Sequence, residues 1–422
     1  MDCDASSLAG SRRALLIGTA ASLAELESRL VDRDVTVGPG HRVVIGTEAA
    51  GESDSWAEVV IEAIAFDRPD LALVSLPARF TSLISELRLV LRRRGIPDRF
   101  VPTLDDLLAG IGPRNLPDID LEDLLERPGR PLDLERITSL FRGRRVLVTG
   151  AGGSIGSELA LRIASYRPAE IVLMDRSEQA LFEIDRTLAR RHPSLSRRAS
   201  LQDVADRAGT LRTFESCRPN LVLHAAAHKH VPLSEDHPRE AVRNNVAGSV
   251  SAVEAAAAVG ASRFVLISTD KAVAPRSVMG ATKRIAEVAV QSRAAEAGLA
   301  TAVVRFGNVL GSSGSVLDIW RREIADGGPL TLTDRRMTRY LMTIPEAAGL
   351  VLQAACLASD QAPVGRVHVL DMGAPVRILD LARRFARANG LELVEEAAST
   401  HDVPSDGIGI VETGARPGEK LA

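Results

Sequence analysis

Arg145-Val-Leu-Val-Thr149 runs without a break into Gly150-Ala-Gly-Gly153-Ser-Ile-Gly156-Ser-Glu-Leu-Ala160. The aliphatic, β-branched opening is what a buried strand requires. The glycines then permit a tight turn, let an anion approach the backbone and bring the next helix against the sheet, while the helix's first N–H groups stay free for pyrophosphate. Asp175 closes the next apolar run, Ile171-Val-Leu-Met174, about 20 residues on, where a ribose-binding acid belongs. The stretch predicts a strand, a phosphate-binding turn and a helix, with Gly150, Gly153, Ser154, Ile155 and Gly156 against a dinucleotide. Asp175 favours NAD because a carboxylate repels a 2′-phosphate, and Arg176 leaves NADP open.

Further strands are predicted near 171–174, 221–224, 264–268, 302–306 and 367–370. Helical segments separate them, so residues 144–422 read as an α/β domain with a doubly wound parallel sheet and right-handed crossovers. Residues 13–110 read as a smaller α/β domain. Its strands are 13–17, 42–45 and 71–75, and its helices start at Ser22 and cover 56–65 and 82–94. The first turn of this smaller domain, Gly18-Thr-Ala-Ala-Ser22, has one glycine where a dinucleotide turn needs three. A second dinucleotide site is not expected there. Residues 1–12 read as a tail, and 111–143, with Pro113, Pro117, Pro128 and Pro131 among acids and leucines, as a linker with short helices.

Composition narrows the function. A net charge of −3 with acids and bases interspersed, and only 3% aromatic residues, leaves no footprint for nucleic acid. Cys3, Cys217 and Cys356 are odd in number and share no Cys-x-x-Cys spacing, which points to a reducing compartment. The first 12 residues carry acids where a signal peptide is basic, and no apolar run approaches the roughly 20 residues that span a bilayer. A soluble, cytoplasmic protein without a transmembrane segment is expected.

Four lysines stand against 48 arginines. Only an ammonium releases its proton near neutral pH, so a chain this poor in lysine is expected to keep it where guanidinium cannot substitute. Lys271 and Lys283 fall in one stretch, Ser268-Thr-Asp-Lys271 through Met279-Gly-Ala-Thr-Lys283.

The Thr-Gly-x-x-Gly-x-x-Gly spacing resembles the extended short-chain dehydrogenase/reductases. Ala225-Ala-Ala-His-Lys-His-Val-Pro232, Asn244-Asn-Val, Ser268-Thr-Asp-Lys271, Met279-Gly-Ala-Thr-Lys283, Arg305-Phe-Gly-Asn-Val-Leu-Gly311, Met337-Thr-Arg-Tyr340, Met342-Thr-Ile-Pro345 and Arg416-Pro-Gly-Glu-Lys420 make the chain similar to the CapD-like nucleotide-sugar 4,6-dehydratases of polysaccharide biosynthesis. Residues 13–110 are similar to the domain that precedes catalysis in longer members, which carry N-terminal membrane helices not found here. Relatives continue past the Arg-Pro-Gly-Glu-Lys motif, whereas this sequence stops at Ala422, two residues beyond it, so a closing helix that the resemblance implies is expected to be missing.

What the resemblance implies is an NAD-dependent lyase of the hydro-lyase type. It oxidises a UDP-linked sugar such as UDP-N-acetylglucosamine at C4, removes water across C5 and C6, and returns the hydride to C6. Asp270 and Lys271 are assigned to acid–base work, with Thr269 or water relaying the C4 proton, and Lys283 to the nicotinamide ribose. Met279 stands where most relatives of the wider superfamily have tyrosine, and a thioether has no proton to exchange. Asp203 and Val204 resemble the adenine contact, Ala225 and Ala226 line the cofactor, Lys229 and His230 lie near the sugar, and Asn308, Arg339 and Arg416 grip the nucleotide diphosphate. A homo-oligomer is expected. Two alternatives stay open: a sugar-nucleotide epimerase of the same fold, and a non-catalytic regulatory protein that binds NAD and a UDP-sugar. His224, His228, His230 and His237 crowd together, but no carboxylate or cysteine set completes a zinc site and no metal is expected.

Overall fold

The computed structural model describes residues 12–30, 35–37, 40–45, 53–66, 68–77, 80, 83, 87, 90–91, 94–101, 103, 121–125, 127, 130–358, 365–389, 391–395 and 407–421. The predicted tail up to residue 11, most of the predicted helix 82–94 and residues 111–120 of the predicted linker lie outside them. The chain forms two compact units, Met1–Asp120 with Ala388–Gly390, and Leu121–Arg387 with Leu391–Ala422.

The first unit carries five parallel strands: β1 (Arg12–Gly18), β2 (Val35–Thr36), β3 (Arg42–Val44), β4 (Leu71–Ser75) and β5 (Asp98–Phe100). Their order is β2-β1-β4-β5, with β3 also on β1. Leu15 and Ile17 of β1 pack into one core with Val60 and Leu87, while Ala14 and Leu16 pack with Leu23 and Leu26 of the helix Ala20–Leu30. Burial on both faces explains why β1 reads as a continuous apolar run.

In the second unit, seven strands make a parallel sheet: β6 (Arg145–Thr149), β7 (Glu170–Asp175), β8 (Arg197–Leu201), β9 (Leu221–His224), β10 (Arg263–Ile267), β11 (Ala300–Arg305) and, after four short strands, β16 (Arg366–Val369). The four are β12 (Asn308–Leu310), β13 (Leu330–Leu332), β14 (Thr338–Arg339) and β15 (Leu341–Thr343). Sheet order is β16-β11-β10-β9-β6-β7-β8, so the strand order reverses between β6 and β9, and the crevice at their carboxyl ends is where such sheets take ligands. Val146 and Val148 face a core shared with the helices Ser154–Ser165 and Ile344–Leu357, and Leu147 faces one shared with Gly248–Ala258 and Val278–Glu296. The predicted strands in this unit fall within two residues of those observed.

Of the seven strands in this sheet, one was not predicted. β8 reads Arg-Arg-Ala-Ser-Leu and sits at the sheet edge, pairing only β7, so it needs no apolar pattern. The stretch 121–143, predicted as linker, contributes the helices Leu121–Leu125 and Leu134–Phe141 to the second unit, with Ile137 and Phe141 fully buried in its core.

Candidate active site

The turn after β6 is shaped by steric necessity. Gly150 has φ +62°, and a Cβ there would lie 2.7 Å from Ala226 Cα, while one on Gly156 would collide with the Gly150 carbonyl. Gly153 is different. It opens the helix Ser154–Ser165 with no side chain capping it, and a Cβ would meet only the Gly150 carbonyl, at 3.3 Å. The free N–H groups of that helix therefore face open space, which is what an anion requires.

Two cavities meet at this turn. A cleft of about 1540 Å³ and a recess of about 240 Å³ share Gly150, Gly153, Ala225, Ala227 and His228 as walls. Of the predicted cofactor residues, Gly150, Gly153, Ser154, Ile155, Gly156, Ala225 and Lys283 line the cleft, and Asp175, Arg176, Asp203, Val204 and Ala226 line the recess. The Asp175 carboxylate accepts from Gly152 N and Ser177 N, both at 2.9 Å, which fixes it at the recess wall. Arg176 is turned to His228 at 3.3 Å and Glu240 at 3.7 Å, and Asp203 takes a hydrogen bond from Arg243 at 3.1 Å. The uncapped helix start and the two joined cavities fit a nicotinamide dinucleotide.

Because β10 and β11 are neighbours, their carboxyl ends bring Thr269, Asp270 and Lys271 beside Asn308. Thr269 Oγ1 donates to Asp270 Oδ1 at 2.9 Å. Lys271 Nζ donates to the same oxygen at 3.1 Å and to Asn308 Oδ1 at 2.7 Å. Burial lowers the Lys271 pKa and Asp270 opposes the shift, so the amine is moved toward the range where it can trade protons. Met279 is 3% exposed and lines the cleft. Four residues on, one helical turn, Lys283 donates to the Ile267 carbonyl at 2.6 Å, and burial brings its pKa down to about 8.

Lys229 and His230 also line the cleft. Lys229 Nζ donates to the Ser313 carbonyl at 2.8 Å, and a Cβ on Gly314 would stand 3.0 Å from the His230 ring. Arg339 and Arg416 also border the cleft; Arg339 donates to the carbonyls of Thr338 at 2.7 Å and Lys420 at 2.8 Å, and Arg416 pairs with Glu419 at 2.8 Å. Among the four crowded histidines, His224 is fully buried, with Thr149 Oγ1 2.7 Å from Nδ1 and Ser249 Oγ 2.9 Å from Nε2. Burial and Lys283 push its pKa down to about 3, so it stays neutral. Among the described residues no three metal-binding side chains gather.

Several site residues escaped the sequence reading. All four lysines of the chain line this cleft, including Lys420, whose Nζ donates to the Val273 carbonyl at 2.9 Å. The scarcity of lysine was the signal that would have found it. Asn245, in a π-helical turn at 243–247, accepts from His228 N at 2.7 Å and donates to Thr282 Oγ1 at 3.0 Å, tying the recess to the helix that carries Lys283. Such turns are often placed at functional sites. Gly280 lets that helix approach the Thr-Asp-Lys loop, since a Cβ there would strike the Lys271 carbonyl.

Residues 146–422 match the family described as polysaccharide biosynthesis protein. The chain belongs to that family. It is 40% identical, over 87% of its own length, to the capsular polysaccharide biosynthesis protein CapD of Staphylococcus aureus, and spans 59% of that relative. It is 33% identical over half its length to a UDP-N-acetylglucosamine 4,6-dehydratase (inverting) of Campylobacter jejuni, of which it covers 64%. Among solved structures it is similar to Pen from Bacillus thuringiensis, at 29% identity and a TM-score of 0.58, over 67% of this chain and 82% of that one. The family fold is the extended short-chain dehydrogenase/reductase type of Rossmann sheet. No described helix is long and apolar enough to cross a membrane.

Proposed function

We propose that the chain is an NAD-dependent nucleotide-sugar 4,6-dehydratase acting on a UDP-linked N-acetylhexosamine, with UDP-N-acetylglucosamine as the first candidate. The observation that carries this reading is the constellation of Asp270, Lys271 and Asn308 in the cleft that continues from the glycine turn. A bound nicotinamide dinucleotide supplies a hydride acceptor for the sugar's C4 and the donor that returns hydride to C6. What falls to the protein is proton traffic.

Asp270, hydrogen-bonded to Thr269 Oγ1, accepts the C4 hydroxyl proton as the carbonyl forms, directly or through that hydroxyl. The new 4-keto group acidifies C5, and Lys271, whose pKa burial lowers, takes the C5 proton while Asp270 returns its own to the departing 6-hydroxyl. Water leaves, and the protein's protonation is restored when hydride and a proton add across C6 and C5. Lys283, held by its hydrogen bond to the Ile267 carbonyl, would hold the ribose next to the nicotinamide. Lys229, Arg339, Arg416 and Lys420 make the remaining wall cationic, which suits a diphosphate.

The test is incubation of the purified protein with UDP-N-acetylglucosamine and with dTDP-glucose, followed by mass spectrometry. Loss of one water from the UDP-sugar, with a 4-keto product, is the expected result. A C4 epimer without water loss identifies an epimerase instead, and folded, dinucleotide-loaded protein that alters no sugar supports the regulatory alternative.

A further inference from the structure

Behind two residues of the cleft wall, Ser268 and Arg305, lies a buried carboxylate that no proton-transfer role uses. Glu287 is fully buried on the helix Val278–Glu296, four residues beyond Lys283. Its carboxylate accepts from Ser268 Oγ at 2.6 Å, from Arg305 Nε at 2.8 Å, from Arg305 Nη2 at 2.5 Å and from Arg284 Nη1 at 3.0 Å. Side-on engagement by Arg305 satisfies both oxygens with fixed geometry. A carboxylate buried to this degree is held ionised by its donors, and Arg305 and Ser268 keep its pKa down against the burial that raises it.

The placement of the donors gives the cluster its meaning. Ser268 is the residue after β10 and immediately precedes Thr269, Asp270 and Lys271; Arg305 is the last residue of β11 and precedes Asn308 by three. These are the two strand ends whose side chains meet as the Lys271–Asn308 hydrogen bond. Backbone bonds already couple them, from Ser268 N to the Val304 carbonyl at 2.7 Å and from Asp270 N to the Phe306 carbonyl at 2.9 Å. Glu287 adds a third point from the helix, one turn along from where Lys283 holds the Ile267 carbonyl. The helix thus grips two consecutive residues of one strand end and the terminal residue of the next.

We propose that Glu287 is a positioning residue that clamps the ends of β10 and β11, fixing Asp270 and Lys271 against Asn308 for the elimination. The clamp rests on the dehydratase reading above. Glu287 itself is not among the residues that line the cleft, although its partners Ser268 and Arg305 are, so its loss acts on the proton-transfer groups through the two strand ends, and a misplacement near 1 Å costs on the order of 100-fold in turnover.

The experiment compares Glu287→Gln, Glu287→Asp and Ser268→Ala with the wild-type enzyme on UDP-N-acetylglucosamine, recording kcat, KM, bound dinucleotide and circular dichroism. For Glu287→Gln, kcat is expected to fall about 10- to 100-fold, with KM within about threefold and dinucleotide content unchanged; Glu287→Asp recovers part of the loss. Ser268→Ala removes one donor without stranding a charge and is expected to lower kcat about 3- to 10-fold. Wild-type kcat in folded Glu287→Gln overturns the clamp, as does a fall in kcat matched by lost dinucleotide and raised KM, which marks general damage. Should Glu287→Gln not fold, wild-type kcat in folded Ser268→Ala overturns it equally. Absence of water loss by the wild-type enzyme is a separate outcome, which removes the dehydratase reading and the clamp's purpose with it.

Discussion

The two units each place a parallel sheet's first strand beside a reversal of strand order, and each follows that strand with a turn and a helix. The two turns are capped differently. After β1, Thr19 Oγ1 accepts from Ser22 N at 3.2 Å, and the Ser22 hydroxyl donates to the Ser75 carbonyl at 2.5 Å. One of the first helical N–H groups is thus met by the chain's own side chain. After β6, Gly153 offers no cap, and two cavities open at its backbone. The difference teaches that topology sets where a ligand can sit, while glycine placement and the absence of side-chain caps decide whether one does.

The comparison is broken most directly at its glycines. Gly156→Ala drives a methyl into the Gly150 carbonyl, lifting the helix from the strand, and is expected to yield protein without bound dinucleotide, read by mass spectrometry of the denatured supernatant. Gly18→Ala makes an equally severe clash, with the Ser75 carbonyl. It should lower the thermal midpoint yet leave the dinucleotide content of folded protein at the wild-type level. Loss of dinucleotide from Gly18→Ala would mean that the first unit matters to cofactor binding after all.

Next in size is the chemistry itself. Asp270→Asn keeps the shape of the Lys271 partner but exchanges a base for an amide, and turnover is expected to drop about 10²- to 10⁴-fold with substrate still bound. Near-normal turnover would remove Asp270 from the mechanism. Gly280→Ala attacks the same residues from outside, pressing a methyl on the Lys271 carbonyl, and should reduce kcat more than it raises KM in steady-state assays.

These residues also mark how far the sequence could be read. The apolar runs at β6, β7, β9, β10 and β11 sit in a sheet buried on both faces, so their pattern was strong, and the glycine turn was legible because its spacing answers to backbone sterics. β8 was not, since an edge strand ending in exposed Leu201 has no buried face to imprint a pattern. Of the site, Thr269 to Lys271 and Lys283 were visible as motifs. Gly280 and Glu287 act on residues brought near only by the fold, at the Lys271 carbonyl and at Ser268 and Arg305, and nothing local in the chain announces such contacts.

A subtler contrast is electrostatic: residues 1–120 contain no lysine, whereas the second unit buries Lys283, with its pKa at about 8 against an ordinary 10.5. Below about pH 8 both folded and unfolded chains hold this proton, and the burial cost stands in full. Between about 8 and 10.5 the unfolded chain binds the proton that the folded one has released, so this group makes stability rise with pH, by at most about 1.4 kcal/mol per unit. Denaturant titrations at pH 7.5 and 9.5 should show that increment in the wild-type protein and not in Lys283→Met. Equal slopes in the two proteins would refute the burial assignment.

The smallest effect is expected at the residue that looks most anomalous. Met279 occupies the cleft wall at 3% exposure, and its thioether neither donates nor accepts a proton in the reaction. If Asp270 and Thr269 carry the C4 proton, position 279 contributes only volume, and Leu is a near-isosteric replacement whose cost in a packed site is usually below about 1.5 kcal/mol. Met279→Leu should therefore keep turnover within about threefold of wild type, in contrast to the collapse expected for Asp270→Asn. Met279→Tyr sharpens the point: a phenol placed there competes with Asp270 for the same proton, and partial rescue of Asp270→Asn by the added tyrosine would show that the two groups address one hydroxyl. No rescue, together with a large loss in Met279→Leu, would place the methionine in a role that proton transfer does not describe.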